Sequence, residues 1–355
     1  ELVAMAPPAK KQKTGSQASL LGFIASSKAE VFSYADGEAS WAVGVPAAPA
    51  GEARRWTATV KLKAPFDRTL TLSTVLSGVP SSIYTEVSNY NEASVSLLKS
   101  HFQKAVRRMD ARRAVSSALE LLRLAPDEFL RRLPVVMLED VGPAAWLPGA
   151  VWLMCAHSKG YQLRDADVAF LLGAVQQLCM CDQKAHLLQT TGDVSLPPPP
   201  KPTDEMALMR LALLLRATYG GTEGDVRMFA SYAASVSSAA PLQALALSPA
   251  RIEPKSVQGL RIDDWIFEAV DFHCSPICKE LRARFPQVFG GVGDDDLKSW
   301  MWKTRAGVNS RTQGAVQGES TLAPNPAWAQ LDAAHSLCDR FACEFIAAHA
   351  RKGGA

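Results

Sequence analysis

Val95–Leu124 reads VSLLKSHFQKAVRRMDARRAVSSALELLRL, and its apolar positions set the class of the whole chain. Leu97, Leu98, Phe102, Ala105, Val106, Ala114, Val115, Ala118, Leu119 and Leu122 recur at steps of three and four, the period of one helical stripe. Toward the C-terminus the same period continues. Pro126 opens a further helix through Glu139, interrupted at Pro134, and helical patterns follow over 146–157, 164–188 and 204–219. They recur at 263–270, 276–285, 294–304 and 326–351. Between two of them Thr190–Thr203, with Pro197 to Pro200 consecutive, reads as an extended linker.

Toward the N-terminus the period shortens to two. Val31–Tyr34, Ser40–Val45, Arg55–Leu62 and Arg68–Val75 are short runs rich in Val, Thr, Trp and Leu, separated by Asp36-Gly37, Pro46–Gly51 and Ala64-Pro65. A small antiparallel sheet is expected. Residues 1–28 hold two adjacent prolines, a lysine cluster and one aromatic, too little apolar surface to offset ordering entropy, so a disordered tail is expected. The opening on Glu1 rather than Met reads as a fragment, or as a translation that starts upstream of Met5. The expected class is mainly α with a small antiparallel β subdomain near the N-terminus. Its divisions are a tail over 1–28, a β subdomain over 29–90, a helical domain over 91–190, a linker over 191–203 and a C-terminal helical domain over 204–355.

Composition narrows the function classes. With 355 residues, 48% hydrophobic and 21% charged, the chain is ordinary globular material. A net charge of +3 is too mild for a histone-like protein, so any nucleic-acid surface must be local. Seven cysteines without a secretory signal predict reduced thiols in an intracellular compartment. No apolar run approaches the ~18 residues of a membrane span, and no membrane partner is expected.

The tail carries two short signals. Lys10, Lys11 and Lys13 cluster on a chain expected to be extended, which resembles a monopartite nuclear import signal read by an acidic receptor groove. Four residues on, Gln17-Ala18-Ser19-Leu20-Leu21-Gly22-Phe23-Ile24 resembles the PCNA-interacting motif, or PIP box. One helical turn would gather Leu20, Phe23 and Ile24 into a three-pronged apolar plug and leave Gln17 to hydrogen-bond at the pocket edge. Ile24 stands where the motif usually has Phe or Tyr, which implies a weaker plug.

The helical middle carries a second resemblance. Lys104-Ala105-Val106-Arg107-Arg108, the run Ala114–Leu122, Leu130-Arg131-Arg132-Leu133 and Leu138-Glu139-Asp140-Val141-Gly142 follow in the order found after the ATPase module in the RarA/MgsA family of clamp-loader relatives. No G-x-x-x-x-G-K-[ST] occurs, so the resemblance implies a docking or oligomerisation module and no ATPase; homo-oligomers are left open. From Lys99 to Arg132 nine Lys/Arg oppose four Asp/Glu, a net of +5. Lys104, Arg108 and Arg112 form one i, i+4, i+8 row with Arg107 beside it, readable as a phosphate-contacting face or as a solvated one.

Near the C-terminus Trp300, Trp302, Lys303 and Arg305 interleave rings that stack on bases with cations that meet phosphates. His273, Cys274 and Cys278 with His335, Cys338 and Cys343 lack the C-x₂-C spacing of structural zinc, and Cys274 and Cys278 at i, i+4 read as core thiols. Asp263-Asp264 and Asp294–Asp296 each precede an apolar-periodic helix and read as helix-start residues. No metal, cofactor or catalytic residue is therefore expected. The expected function is a non-enzymatic nuclear accessory factor of DNA replication or repair, partnered by the sliding clamp, DNA and an import receptor. The alternatives are a metal-dependent nucleic-acid enzyme delivered by the same tail, and a helical scaffold without a replication role.

Overall fold

Asp36 and Gly37 take φ of 55° and 92°, the paired left-handed conformation of a two-residue hairpin turn, and fold β1 (Glu30–Ala35) onto β2 (Glu38–Val43). A second hairpin pairs β3 (Arg55–Leu62) with β4 (Arg68–Val75). A computed structural model describes residues 30–44, 54–62, 67–185, 200–204, 206–236, 249–312 and 331–349. The two hairpins join through their central strands in the order β2-β1-β4-β3. The β1–β4 pairing is parallel, with Phe32 opposite Leu72 and Tyr34 opposite Thr74, so the sheet is mixed rather than wholly antiparallel. The reason is the register: this pairing keeps Phe32, Leu70 and Leu72 on one buried face.

The rest is helical: α1 (Val95–Arg107), α2 (Ala111–Leu124), α3 (Pro126–Asp140), α4 (Leu147–His157), α5 (Asp165–Met180), α6 (Ala207–Thr218) and α7 (Glu223–Ser235). A 3₁₀ stretch at Phe267–His273 leads into α8 (Cys274–Arg284), α9 (Pro286–Phe289), α10 (Asp294–Met301), a π turn at Trp302–Ala306 and, further on, α11 (Leu331–His349). Two expectations change. The pattern over 95–124 is two helices, because Met109 turns left-handed at φ 59°. Met109 N–H bonds Val106 O and Asp110 N–H bonds Ala105 O, closing α1 in a Schellman motif, while Asp110 caps α2 by accepting from Arg113 N–H at 3.0 Å. Conversely, α3 runs unbroken through Pro134, since Leu130, Leu133, Val136 and Met137 are buried around it and outweigh one lost backbone bond.

One apolar core runs from the sheet through the helices. Trp152 of α4 donates its indole N–H to Phe32 O at 2.8 Å and stacks on Tyr34 at 4.8 Å between ring centres. The same core extends through Leu119, Leu171 and Leu214 to Ala342 and Ile346 of α11. A second core gathers Ile277, Leu281, Phe289, Leu297, Met301 and Leu337, and α11 belongs to both. The sheet and both helical blocks thus share packing across the expected divisions, and the expected linker falls mostly within 186–199, outside the described residues. Gly173 of α5 allows a close crossing: a Cβ there would lie 1.5 Å from Ala250 O. Among the described residues no helix is long and apolar enough to cross a membrane.

Candidate functional site

The basic row on α1 and α2 is covered by an acidic row of the same chain. Arg108 pairs with Glu268 at 2.7 Å and Arg112 with Asp264 at 2.8 Å, while Lys104 lies in the field of Asp271. Asp264, Glu268 and Asp271 have helical spacing of their own, and Trp265, Ile266, Ala269 and Val270 between them are buried in the main core. The covering segment is therefore anchored by packing as well as by charge. Lys104 is 1% exposed, and burial, aided by the Arg107 charge, pulls its ammonium down to about 8. Asp264 is held down at about 2, chiefly by the hydrogen bond from Arg112. Within this row Lys104 and Arg107 are buried and Arg108 is paired with Glu268, while half of the Arg112 side chain stays in solvent.

Arg107 sits at the centre of a second cluster. Its Nε meets Asp140 Oδ1 at 2.6 Å, its Nη2 meets Glu139 Oε1 at 2.7 Å, and its Nη1 donates to Ala306 O at 2.8 Å. Asp140 ends α3, where a carboxylate opposes the helix dipole, and the guanidinium offsets that. Gln103 bridges Glu139 and Asp140 at 2.9 and 2.8 Å and accepts from Arg132. Asn309 donates to Asp140 O at 2.9 Å. Arg311 donates to Val106 O at 2.8 Å, Cys181 O at 2.7 Å and Leu178 O, placing one cation on the negative ends of α1 and α5. The Glu139-Asp140-Val141-Gly142 element is thus a helix end built into an ionic clasp, with Gly142 at φ 144°.

The C-terminal residues divide. Arg305 is buried between Asp271, 3.2 Å from its Nε, and Asp339, 2.9 Å from its Nη2. Asp271 is pushed up to about 6 by burial, against the pull of Arg305. Trp300 is half-buried and stacks on His335 at 5.2 Å. Trp302 is 48% exposed with the Arg107 guanidinium 4.8 Å from its ring centre, and Lys303 beside it is exposed. Of the eight nominated nucleic-acid residues, Arg112, Trp302 and Lys303 reach solvent. Gln17, Leu20, Phe23, Ile24, Lys10, Lys11 and Lys13 lie outside the described residues.

The thiols and acids do not converge. Cys278 and Cys338 are buried in the second core, Cys343 is exposed, and the side chains of His273 and Cys274 lie outside the described residues. Among the described residues no group of three or more His, Cys, Asp or Glu is arranged to hold a metal. Asp294–Asp296 stand in the first turn of α10, Asp294 pairing with Arg282, and Gly293 rather than an Asp takes the cap position.

Two buried polar clusters have no counterpart among the sequence expectations. His101 lies 2.6 Å from Ser117 Oγ and is fully buried against Trp265; burial lowers its pKa to about 3. That contact has the atoms of a nucleophile–base pair but no route for a substrate. Asp167 accepts from Tyr161 Oη at 2.9 Å and Arg164 N–H at 2.8 Å, and burial raises its pKa. The rings of Tyr34, Trp56, Trp152 and Tyr161 beside it stand 4.8 to 5.8 Å apart centre to centre, in mutual contact with no room for a ligand. A His or Asp flanked by apolar residues is the only sequence signal for such groups. No family model matches this chain, and no curated protein or solved structure matches it either.

Proposed function

We propose that the chain is a nuclear accessory factor of DNA replication or repair, without chemistry of its own, recruited to the sliding clamp by Gln17, Leu20, Phe23 and Ile24. The observation that carries this reading is the motif itself, set beside Lys10, Lys11 and Lys13 and six residues ahead of β1 at Glu30. The folded body supports the role of a stiff adaptor. Its charged rows tie α1, α2 and α3 to the segment 262–312 and to α11.

Auxiliary contact with DNA narrows to Trp302 and Lys303, with Arg112 at the margin. A ring about half exposed and backed by a clamped guanidinium suits stacking by an unpaired base. Trp302→Ala is expected to weaken single-stranded DNA binding about tenfold, within the ~1–3 kcal/mol of a base–aromatic stack. The enzyme alternative has less to draw on, because Asp264 is engaged by Arg112 and Arg261.

The deciding experiment titrates the intact chain into the sliding clamp by calorimetry, with Phe23→Ala beside it. A Kd of ~1–100 μM, lost in the variant, supports recruitment. No heat from the wild-type chain, or equal binding by Phe23→Ala, contradicts it and favours the scaffold reading, which the internal pairing of the basic row already supports.

A further inference from the structure

The sheet ends on two strands whose sequences treat an approaching strand differently. In the order β2-β1-β4-β3, β2 and β3 each have one side on which no strand pairs among the described residues. Such an edge presents a row of backbone N–H and C=O groups to any strand that can reach it.

The first hairpin decides which groups those are on β2. Its two-residue turn makes Ala35 and Glu38 a bonded pair, and bonded pairs then alternate, so Ser33 with Ser40 and Val31 with Ala42 follow. The N–H and C=O groups of Ala39, Trp41 and Val43 therefore point away from β1, and among the described residues nothing bonds them. On the face toward the helices Trp41 is buried in the main core, whereas Val43 is 58% exposed. On the outer face Ser40 and Ala42 are exposed.

This edge is complementary to itself. When two β2 strands run antiparallel with Trp41 opposite Trp41 of a second copy, Ala39 falls opposite Val43 and all three outward residues take bonded positions. Small Ala39 then lies beside the exposed Val43, and Ser40 lies opposite Ala42 on the outer face. Glu38, the one charge of the strand, falls opposite Gly44, so no like charges meet. The other edge fails this comparison. Leu76 N–H bonds Arg54 O, which leaves Arg55, Thr57, Thr59 and Lys61 as the outward residues of β3. Self-pairing over that row would set Arg55 opposite Lys61 at both ends, and an edge lysine is itself a guard against pairing. We propose that β2 is a self-association edge, on which two copies of this chain pair antiparallel through Ala39, Trp41 and Val43 and join their four-stranded sheets into one.

The interface uses neither the tail nor Trp302, so it is independent of the recruitment reading. The test is sedimentation of the intact chain over a concentration range of about 1–200 μM. A reversible dimer with a Kd of ~1–100 μM is expected of a short strand-to-strand contact. Amide exchange at Trp41 and Val43 is expected to slow as the dimer fills, with little change at Ser40 and Ala42, which are already bonded to β1. Val43→Pro removes an outward N–H and no bond to β1, and is expected to weaken the dimer about tenfold. Two double variants on the exposed outer face test the register. Ser40→Lys with Ala42→Lys sets like charges opposite each other twice and is expected to weaken the dimer about fivefold or more. Ser40→Lys with Ala42→Glu sets opposite charges there and is expected to pair at least as tightly as wild type. A chain that stays monomeric across the range overturns the proposal. So does a dimer indifferent to Val43→Pro, or one that responds alike to both double variants, since its contact then lies elsewhere. If Val43→Pro lowers the melting temperature of the monomer, the double variants decide.

Discussion

Two rows of polar side chains cross this molecule, and they differ in what meets them. The cations Lys104, Arg108 and Arg112 run along α1 and α2 and are met by Asp271, Glu268 and Asp264. The hydroxyls Ser40, Ser33, Ser73 and Thr57 run across the outer face of the sheet, where Ser40 and Thr57 are exposed, Ser33 is half-buried and Ser73 is buried. The charged row carries the conspicuous signal in the sequence, yet Lys104 is buried and Arg108 and Arg112 are paired with acids of the same chain. The hydroxyl row carries almost none, and water reaches most of it on the outer face of the sheet. Charge density therefore identifies where a chain must satisfy itself as readily as where it meets a partner.

The comparison breaks most sharply at the clasp beside the charged row. Arg107→Met leaves the buried carboxylate of Asp140 without its cation, and urea unfolding is expected to show a loss of about 3–5 kcal/mol. An effect below ~1 kcal/mol would show that Glu139 and Asp140 do not depend on Arg107. Gly173→Ala drives a methyl into Ala250 O and is expected to cost about 3 kcal/mol with loss of the 249–252 contact on α5, read by unfolding and amide exchange at Ile252. That change touches neither row, so it calibrates how much backbone packing alone contributes.

A pH series sharpens the contrast further. Burial holds His101 at about 3 against an ordinary 6.5, so the unfolded chain takes up a proton that the folded chain refuses. Its share of stability is complete above pH 6.5 and is lost as pH falls toward 3. Asp271, raised to about 6 from 3.8, works in the opposite sense: its share is present below 3.8 and is lost as pH rises through 6. Comparing the wild type with His101→Phe isolates the histidine. Between pH 6.5 and 5 the wild type is expected to lose about 1.5 kcal/mol more than the variant by urea unfolding. Parallel curves would mean that His101 is solvated.

Much of the fold was legible in the residues and less of the site. The three- and four-residue apolar steps over 95–157 are the buried faces of α1 to α4, because burial and helical period are one constraint. Asp36-Gly37 located the first hairpin, because its two positive φ angles need those residue types. The parallel join of β1 to β4 was not legible, since alternation fixes which face each strand buries and says nothing about which hairpin lies beside which. Nor did periodicity reveal the break at Met109, as the apolar stripe resumes in phase on α2. The acids at 264, 268 and 271 carried a readable signal, helical spacing that matches the basic row, but their partners lie about 160 residues away. The hydroxyl row is a product of register between strands and has no local signature.

The smallest expected effect tests the central claim, that the basic row is held by the chain's own acids. A double-mutant cycle of Arg108→Gln and Glu268→Gln, read by urea unfolding of the intact chain, measures that contact alone. Both side chains are about three-quarters buried, and a coupling of about 1 kcal/mol is expected, with single-stranded DNA affinity unchanged in each variant. A coupling indistinguishable from zero, together with a tenfold fall in DNA affinity for Arg108→Gln, would contradict the account and return the row to the surface.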